Sequence, residues 1–100
     1  MTVKAMEQQL INLGFTKTVN KKIELGMTIT NIYFELPSKQ LAIKILKFGN
    51  QIQNITPFEK WDHQKKMGYE VNGCGHHWCN KKPEVALQII LQTIKELMGV

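Results

Sequence analysis

One hundred residues, 43% hydrophobic and 21% charged, make one domain able to bury a modest core without disulfides or metal, and exclude an intrinsically disordered chain. The formal charge of +5 and pI near 9.3 favour a polyanionic partner, since clustered lysines bind phosphates by releasing counterions, with a merely solvated surface as the alternative. No continuous apolar run suits a signal peptide or a membrane span, so the expected setting is intracellular, cytoplasmic, with no membrane partner.

Val3, Met6, Leu10 and Leu13 recur at helical spacing and Gly14 supplies a stop, which predicts an amphipathic first helix. Phe15 to Val19 alternates weakly, Asn20-Lys21-Lys22 reads as a turn, and Ile23-Glu24-Leu25 resumes as a strand. Thr28 to Leu36 is rich in Thr, Ile, Tyr and Phe, which predicts a strand; Pro37-Ser38-Lys39 breaks it, and Leu41 to Phe48 returns as its antiparallel neighbour. Gly49 to Asn54 reads as a polar loop with Ile52 turned inward.

Thr56-Pro57-Phe58-Glu59 combines an N-cap, a first-turn proline and a capping-box glutamate. It predicts a helix carrying Phe58, Trp61 and Met67 and ending at Gly68, followed by a strand from Tyr69 to Val71. Pro83 then opens a C-terminal helix with Leu87, Ile90, Leu91, Ile94 and Met98 as its most buried stripe. That helix either covers the sheet or offers a homodimer interface. The order predicts an α/β fold of one domain spanning 1–100, a mixed central sheet flanked by helices in a three-layer or sandwich arrangement.

These pieces resemble the small VRR-NUC branch of the PD-(D/E)xK nucleases. In that family a glutamate-bearing helix precedes a G-x-P-D strand, a strand ending E-x-K, a helix introduced by S-P-x-Q, a G-Y-x-V strand and a C-terminal helix. The corresponding pieces here are Glu7, then Gly26 leading to Thr30-Asn31, then Ile45-Leu46-Lys47, Thr56-Pro57-Phe58-Glu59 and Gly68-Tyr69-Glu70-Val71. The resemblance implies a restriction-endonuclease-like core, but Asn31 stands in place of the family's aspartate and Ile45 in place of its glutamate. Only Glu7 and Lys47 match the catalytic set.

Metal-dependent phosphodiester cleavage needs anionic oxygens to hold Mg²⁺ or Mn²⁺ beside the scissile phosphate. Asparagine offers a neutral carbonyl and isoleucine nothing. The resemblance thus implies a nuclease fold that has lost cleavage and binds nucleic acid or a nucleic-acid-processing protein, as a phage or mobile-element inhibitor or accessory factor would. The enzymatic alternative is a displaced site built from Glu7, Asn31, Glu35 and Lys47, since Glu35 shares a strand face with Asn31 by period-two counting. Glu24 could also approach it.

Cys74-Gly75-His76-His77-Trp78-Cys79 gathers both cysteines and two of the three histidines, and thiolate with imidazole suits zinc. The spacing lacks the two separated pairs of a common zinc module, so Cys74, His76, His77 and Cys79 are weighed against a reduced strand end and loop; a disulfide is disfavoured inside a cell. For nucleic-acid or partner binding the candidates are Lys44, Lys47, Lys60, Trp61, Lys65 and Lys66, with Lys81 and Lys82 beyond them. Trp61, Trp78 and Tyr33 would offer stacking faces.

Overall fold

The structure, a computed structural model, describes residues 2–71 and 83–99. Helix α1 spans Val3–Asn12, followed by strands β1 (Thr16–Glu24), β2 (Met27–Leu36), β3 (Leu41–Phe48), β4 (Gln51–Asp62) and β5 (Met67–Glu70), and helix α2 spans Pro83–Met98. The strands form one five-stranded sheet in the order β1-β2-β3-β4-β5, and every neighbouring pair is antiparallel. The mixed sheet expected from the sequence is therefore replaced by an antiparallel meander. Short connections explain the difference: parallel neighbours need a long crossover, and turns of a few residues do not provide one.

The N-terminal helix follows its sequence signals closely. The Thr2 hydroxyl accepts from the Ala5 N–H at 3.1 Å, which satisfies one of the free donors of the first turn. At the other end Gly14 has φ +102°, and the Gly14 and Phe15 N–H groups bond the Ile11 and Leu10 carbonyls at 3.0 Å each. This Schellman ending turns Phe15 back onto Leu10, and both side chains enter the core.

Both helices lie on the same face of the sheet. Met6 and Leu10 of α1 and Leu87, Ile90, Leu91 and Ile94 of α2 pack with Phe34, Ile43, Ile45 and Ile55 of the central strands in one buried cluster. The C-terminal helix thus spends its apolar stripe on the sheet, and the described residues form two layers. The pairings Asn31↔Leu46, Tyr33↔Lys44 and Glu35↔Ala42 assign these residues to the opposite, open face.

Three expectations fail for local reasons, the first being the polar loop from Gly49 to Asn54, since β4 begins at Gln51. The proposed turn at Asn20-Lys21-Lys22 lies inside β1, because the nine pairs from Thr16↔Glu35 to Glu24↔Met27 are continuous. The helix predicted from Thr56-Pro57-Phe58-Glu59 is the middle of β4, where Ile55 and Pro57 face the helices and Thr56 and Phe58 the open side. Pro57 is tolerated there because its carbonyl accepts from Val71 at 3.1 Å, just past the end of β5. Its missing donor therefore falls where that strand has run out. The helix expected after the strand ending at Lys47 is absent, so the element order implied by the nuclease resemblance is not the order observed.

Two irregularities shape β4. The pairing slips between Leu46 and Lys47, where Asn54 and Ile52 are the partners and Gln53 is skipped. That bulge turns Ile52 toward the core, as the sequence predicts for this side chain. A second slip between Glu59 and Asp62 sets Lys60 and Trp61 against Gly68. Lys60 takes φ +51° there, and the added residue delivers Trp61 to the open face.

Candidate functional site

The nuclease-derived candidates do not converge. Thr30↔Lys47 is a cross-strand pair, so Lys47 points to the helix side while Asn31 and Glu35 point to the open side. The sequence inference that Asn31 and Glu35 share a face holds, yet they lie across the sheet from the lysine they were to serve. Glu7, on α1, approaches Lys17 at 3.7 Å, and Ile45 is buried in the core. Among the described residues no group of three or more His, Cys, Asp or Glu could hold a metal ion, so the described donors do not make a Mg²⁺ or Mn²⁺ site. Cys74, His76, His77 and Cys79, with Trp78, Lys81 and Lys82, lie outside the described residues, as does any zinc site they would form.

On the open face Glu35 is only 5% exposed and already has two partners. The Trp61 indole N–H donates to Oε2 at 2.6 Å, and the Lys66 ammonium pairs with Oε1. Trp61 also meets Phe58 and Tyr33 at ring-centroid distances of 5.0 and 5.8 Å. With Ala42 these rings form a second small core beneath the β4–β5 hairpin. Trp61 at 3% and Tyr33 at 8% exposure cannot stack on a base, which corrects their assignment as stacking platforms. Glu35 is best explained as the polar anchor of this core, since a buried indole donor needs an acceptor.

The lysines assigned to binding divide between surfaces. The ammoniums of Lys44 and Lys66 sit 6.0 and 5.4 Å from the Tyr33 ring on the open side. Lys60 lies 5.8 Å from the Tyr69 ring, and it lines a shallow depression with Lys65 at the β4–β5 turn. In that turn the Asp62 carboxylate accepts the Gln64 and Lys65 N–H groups at 2.9 and 3.0 Å. The Lys65 N–H bond, ahead of the others, holds the Asp62 carboxyl below its ordinary range. Asp62 partly offsets the charge of its lysine neighbours.

A more concentrated positive site lies on the helix side, beyond the helix layer. Lys17, Val19 and Lys21 of β1, Thr28, Thr30 and Ile32 of β2, Lys47 of β3 and the following Gly49-Asn50 enclose an open cleft of about 390 Å³. The register explains the grouping: Lys21 pairs with Thr30, which pairs in turn with Lys47. Two lysines thus flank one buried threonine on a single face. Among the described residues neither Lys21 nor Lys47 has a carboxylate within 4.0 Å, whereas Lys17 touches Glu7.

Of this group only Lys47 was identified from sequence. Lys21 escapes the sequence reading because Asn20-Lys21-Lys22 has the composition of a turn, and Lys17 because the alternation from Phe15 to Val19 is weak. The alternation Lys17, Val19, Lys21, Ile23 carried the signal, since period two places all four on one face. No helix among the described residues is long and apolar enough to cross a membrane. Comparison with known protein families, curated proteins and solved structures finds no match for this chain.

Proposed function

We propose that this chain is a non-catalytic binding protein for nucleic acid, which grips the phosphate backbone at the helix-side lysine cleft. The observation that supports this reading best is the meeting of Lys17, Lys21 and Lys47 around Thr30 on one face, two of them without a carboxylate partner among the described residues. Lysine ammoniums are compact point charges suited to phosphate, and Thr28 and Asn50 at the rim add neutral donors for the same oxygens. Among the described residues no aromatic side chain lines this cleft, and the recognition proposed rests on charge and spacing rather than on base edges. Such a protein would act on nucleic acid directly, or on the machinery that processes it, as an inhibitor or accessory factor does.

The alternative of a nuclease with displaced ligands gains no support, because Lys47 and the pair Asn31 and Glu35 occupy opposite faces. The test is fluorescence anisotropy with labelled single-stranded and duplex oligonucleotides across a salt series. Three neutralised phosphates give a log-log salt slope of about −2 on a single strand. Lys21→Glu with Lys47→Glu weakens binding at low salt by at least about tenfold, while Lys39→Glu, on the far connection between β2 and β3, changes it little. Undiminished affinity in the double variant would sink the cleft as the binding surface. Failure of every oligonucleotide to bind at low salt would leave a protein partner in its place.

A further inference from the structure

Strand β1 is the edge of the sheet, and all nine of its residues are exposed. Among the described residues nothing pairs with its outer side. The other edge, β5, has only four residues and pairs across a bulge in β4, and a very short edge strand is one way sheets blunt an edge. By contrast β1 is long and regular, and it carries exposed apolar side chains at Val19 and Ile23, the latter 77% exposed.

The backbone direction along this edge is fixed by the β1–β2 turn. Leu25 and Gly26 have φ of +51° and +74°, the signature of a two-residue hairpin loop in which the flanking Glu24 and Met27 exchange both hydrogen bonds. Bonding to β2 then alternates through Lys22, Asn20, Thr18 and Thr16. The N–H and C=O groups of Lys17, Val19, Lys21 and Ile23 point outward. Ile23's partner Thr28 confirms the phase, since its carbonyl turns the other way and accepts from Gly49 at 2.8 Å.

We propose that β1 pairs antiparallel with β1 of a second copy about a two-fold axis at Asn20, giving a continuous ten-stranded sheet. Backbone pairing requires outward residues to face outward residues. Full overlap of the nine positions then sets Lys17 opposite Ile23, Val19 opposite Lys21, Thr18 opposite Lys22, Thr16 opposite Glu24 and Asn20 opposite itself. Every lysine of the strand meets a neutral residue. The neighbouring allowed registers instead place Lys17 opposite Lys21, or Lys21 opposite Lys21, and like charges directly opposed disfavour them.

Lysines on an edge discourage indiscriminate pairing, and here their spacing permits one register of full length. Val19 and Ile23 of the two copies come together diagonally on the helix side, covering apolar surface that the monomer leaves in water. The two lysine clefts also become neighbours on one side of the joined sheet. The dimer forms without nucleic acid and is measured in its absence.

Light scattering on the 100-residue chain gives twice the monomer mass. Lys21→Pro, which removes an outward donor and leaves the ladder to β2 intact, gives a monomer. The register is read by cysteine pairing in a Cys74→Ser, Cys79→Ser background. Asn20→Cys sets two thiols face to face across the axis in a closely spaced non-hydrogen-bonded pair and cross-links two copies, whereas Thr18→Cys, facing Lys22, does not. A unit-mass particle at every soluble concentration overturns the proposal. So does a dimer that survives Lys21→Pro, or equal cross-linking by the two cysteine variants.

Discussion

The two faces of the sheet are separated by decisions made at single residues. Gly68 ends no helix; it is glycine because Trp61 packs over it, and a Cβ would stand 2.9 Å from the Glu59 carbonyl oxygen and 3.0 Å from the Trp61 ring. Two of the contacts a Cβ would make are to backbone atoms, so relaxation must move the strand. Gly68→Ala therefore lowers stability by about 2 kcal/mol, or on the order of 10 °C in melting temperature, as thermal unfolding followed by circular dichroism will report. Asp62 gives a pH signature in the same hairpin. Its carboxyl is held below the ordinary value of 3.8 chiefly by the Lys65 N–H, so its stabilising effect is complete above that value and disappears as pH falls through the depressed one. Wild type and Asp62→Asn should differ in denaturation midpoint at neutral pH and converge under acid; a gap that persists below the carboxylate range would refute the assignment.

At the scale of elements, the sequence resolves what local chemistry decides and misses what the sheet decides. The first helix is readable from Met6, Leu10 and Gly14 because both its core stripe and its stop act within a few residues. The β2–β3 hairpin is readable from its composition and from Pro37. By contrast, Thr56-Pro57-Phe58-Glu59 carries a genuine capping pattern that loses to pairing with β3 and burial of Ile55 and Pro57, a tertiary override of local preference. In β1 the lysines disguised a strand, because no position in it is buried and only the period-two alternation remained. The β1–β2 turn keeps one unfavourable residue, since Leu25 is 107% exposed and holds a left-handed backbone that suits asparagine better. Leu25→Asn creates the preferred Asn-Gly turn and raises stability by about 1 kcal/mol, seen as a higher urea midpoint with unchanged slope. A lower midpoint would show that Leu25 makes a contact the monomer does not reveal.

For the molecule as a whole, helices on one face and a meander ordered β1 to β5 produce a gradient of protection across the sheet. Strand β3 is central and carries Leu41, Ala42, Ile43 and Ile45, all buried, so its amides open only with global unfolding. Among the described residues strand β1 is bonded on one side, and the hairpin phase divides its amides into two sets. Those of Thr18, Asn20 and Lys22 bond to β2, while those of Lys17, Val19, Lys21 and Ile23 face outward. Hydrogen exchange should therefore alternate along β1 at low protein concentration, with the outward set fast and the inward set slower. As concentration rises, the outward set alone should gain protection if copies join edge to edge, because self-pairing adds bonds to those four residues and to no others in the strand. Added single-stranded oligonucleotide should shift that gain to lower protein concentration, since phosphate between adjacent clefts relieves the repulsion of the lysines that dimerisation gathers. Uniform exchange along β1 at every concentration would contradict the hairpin phase itself. Protection of the outward set that the oligonucleotide leaves unchanged would separate the dimer from the cleft.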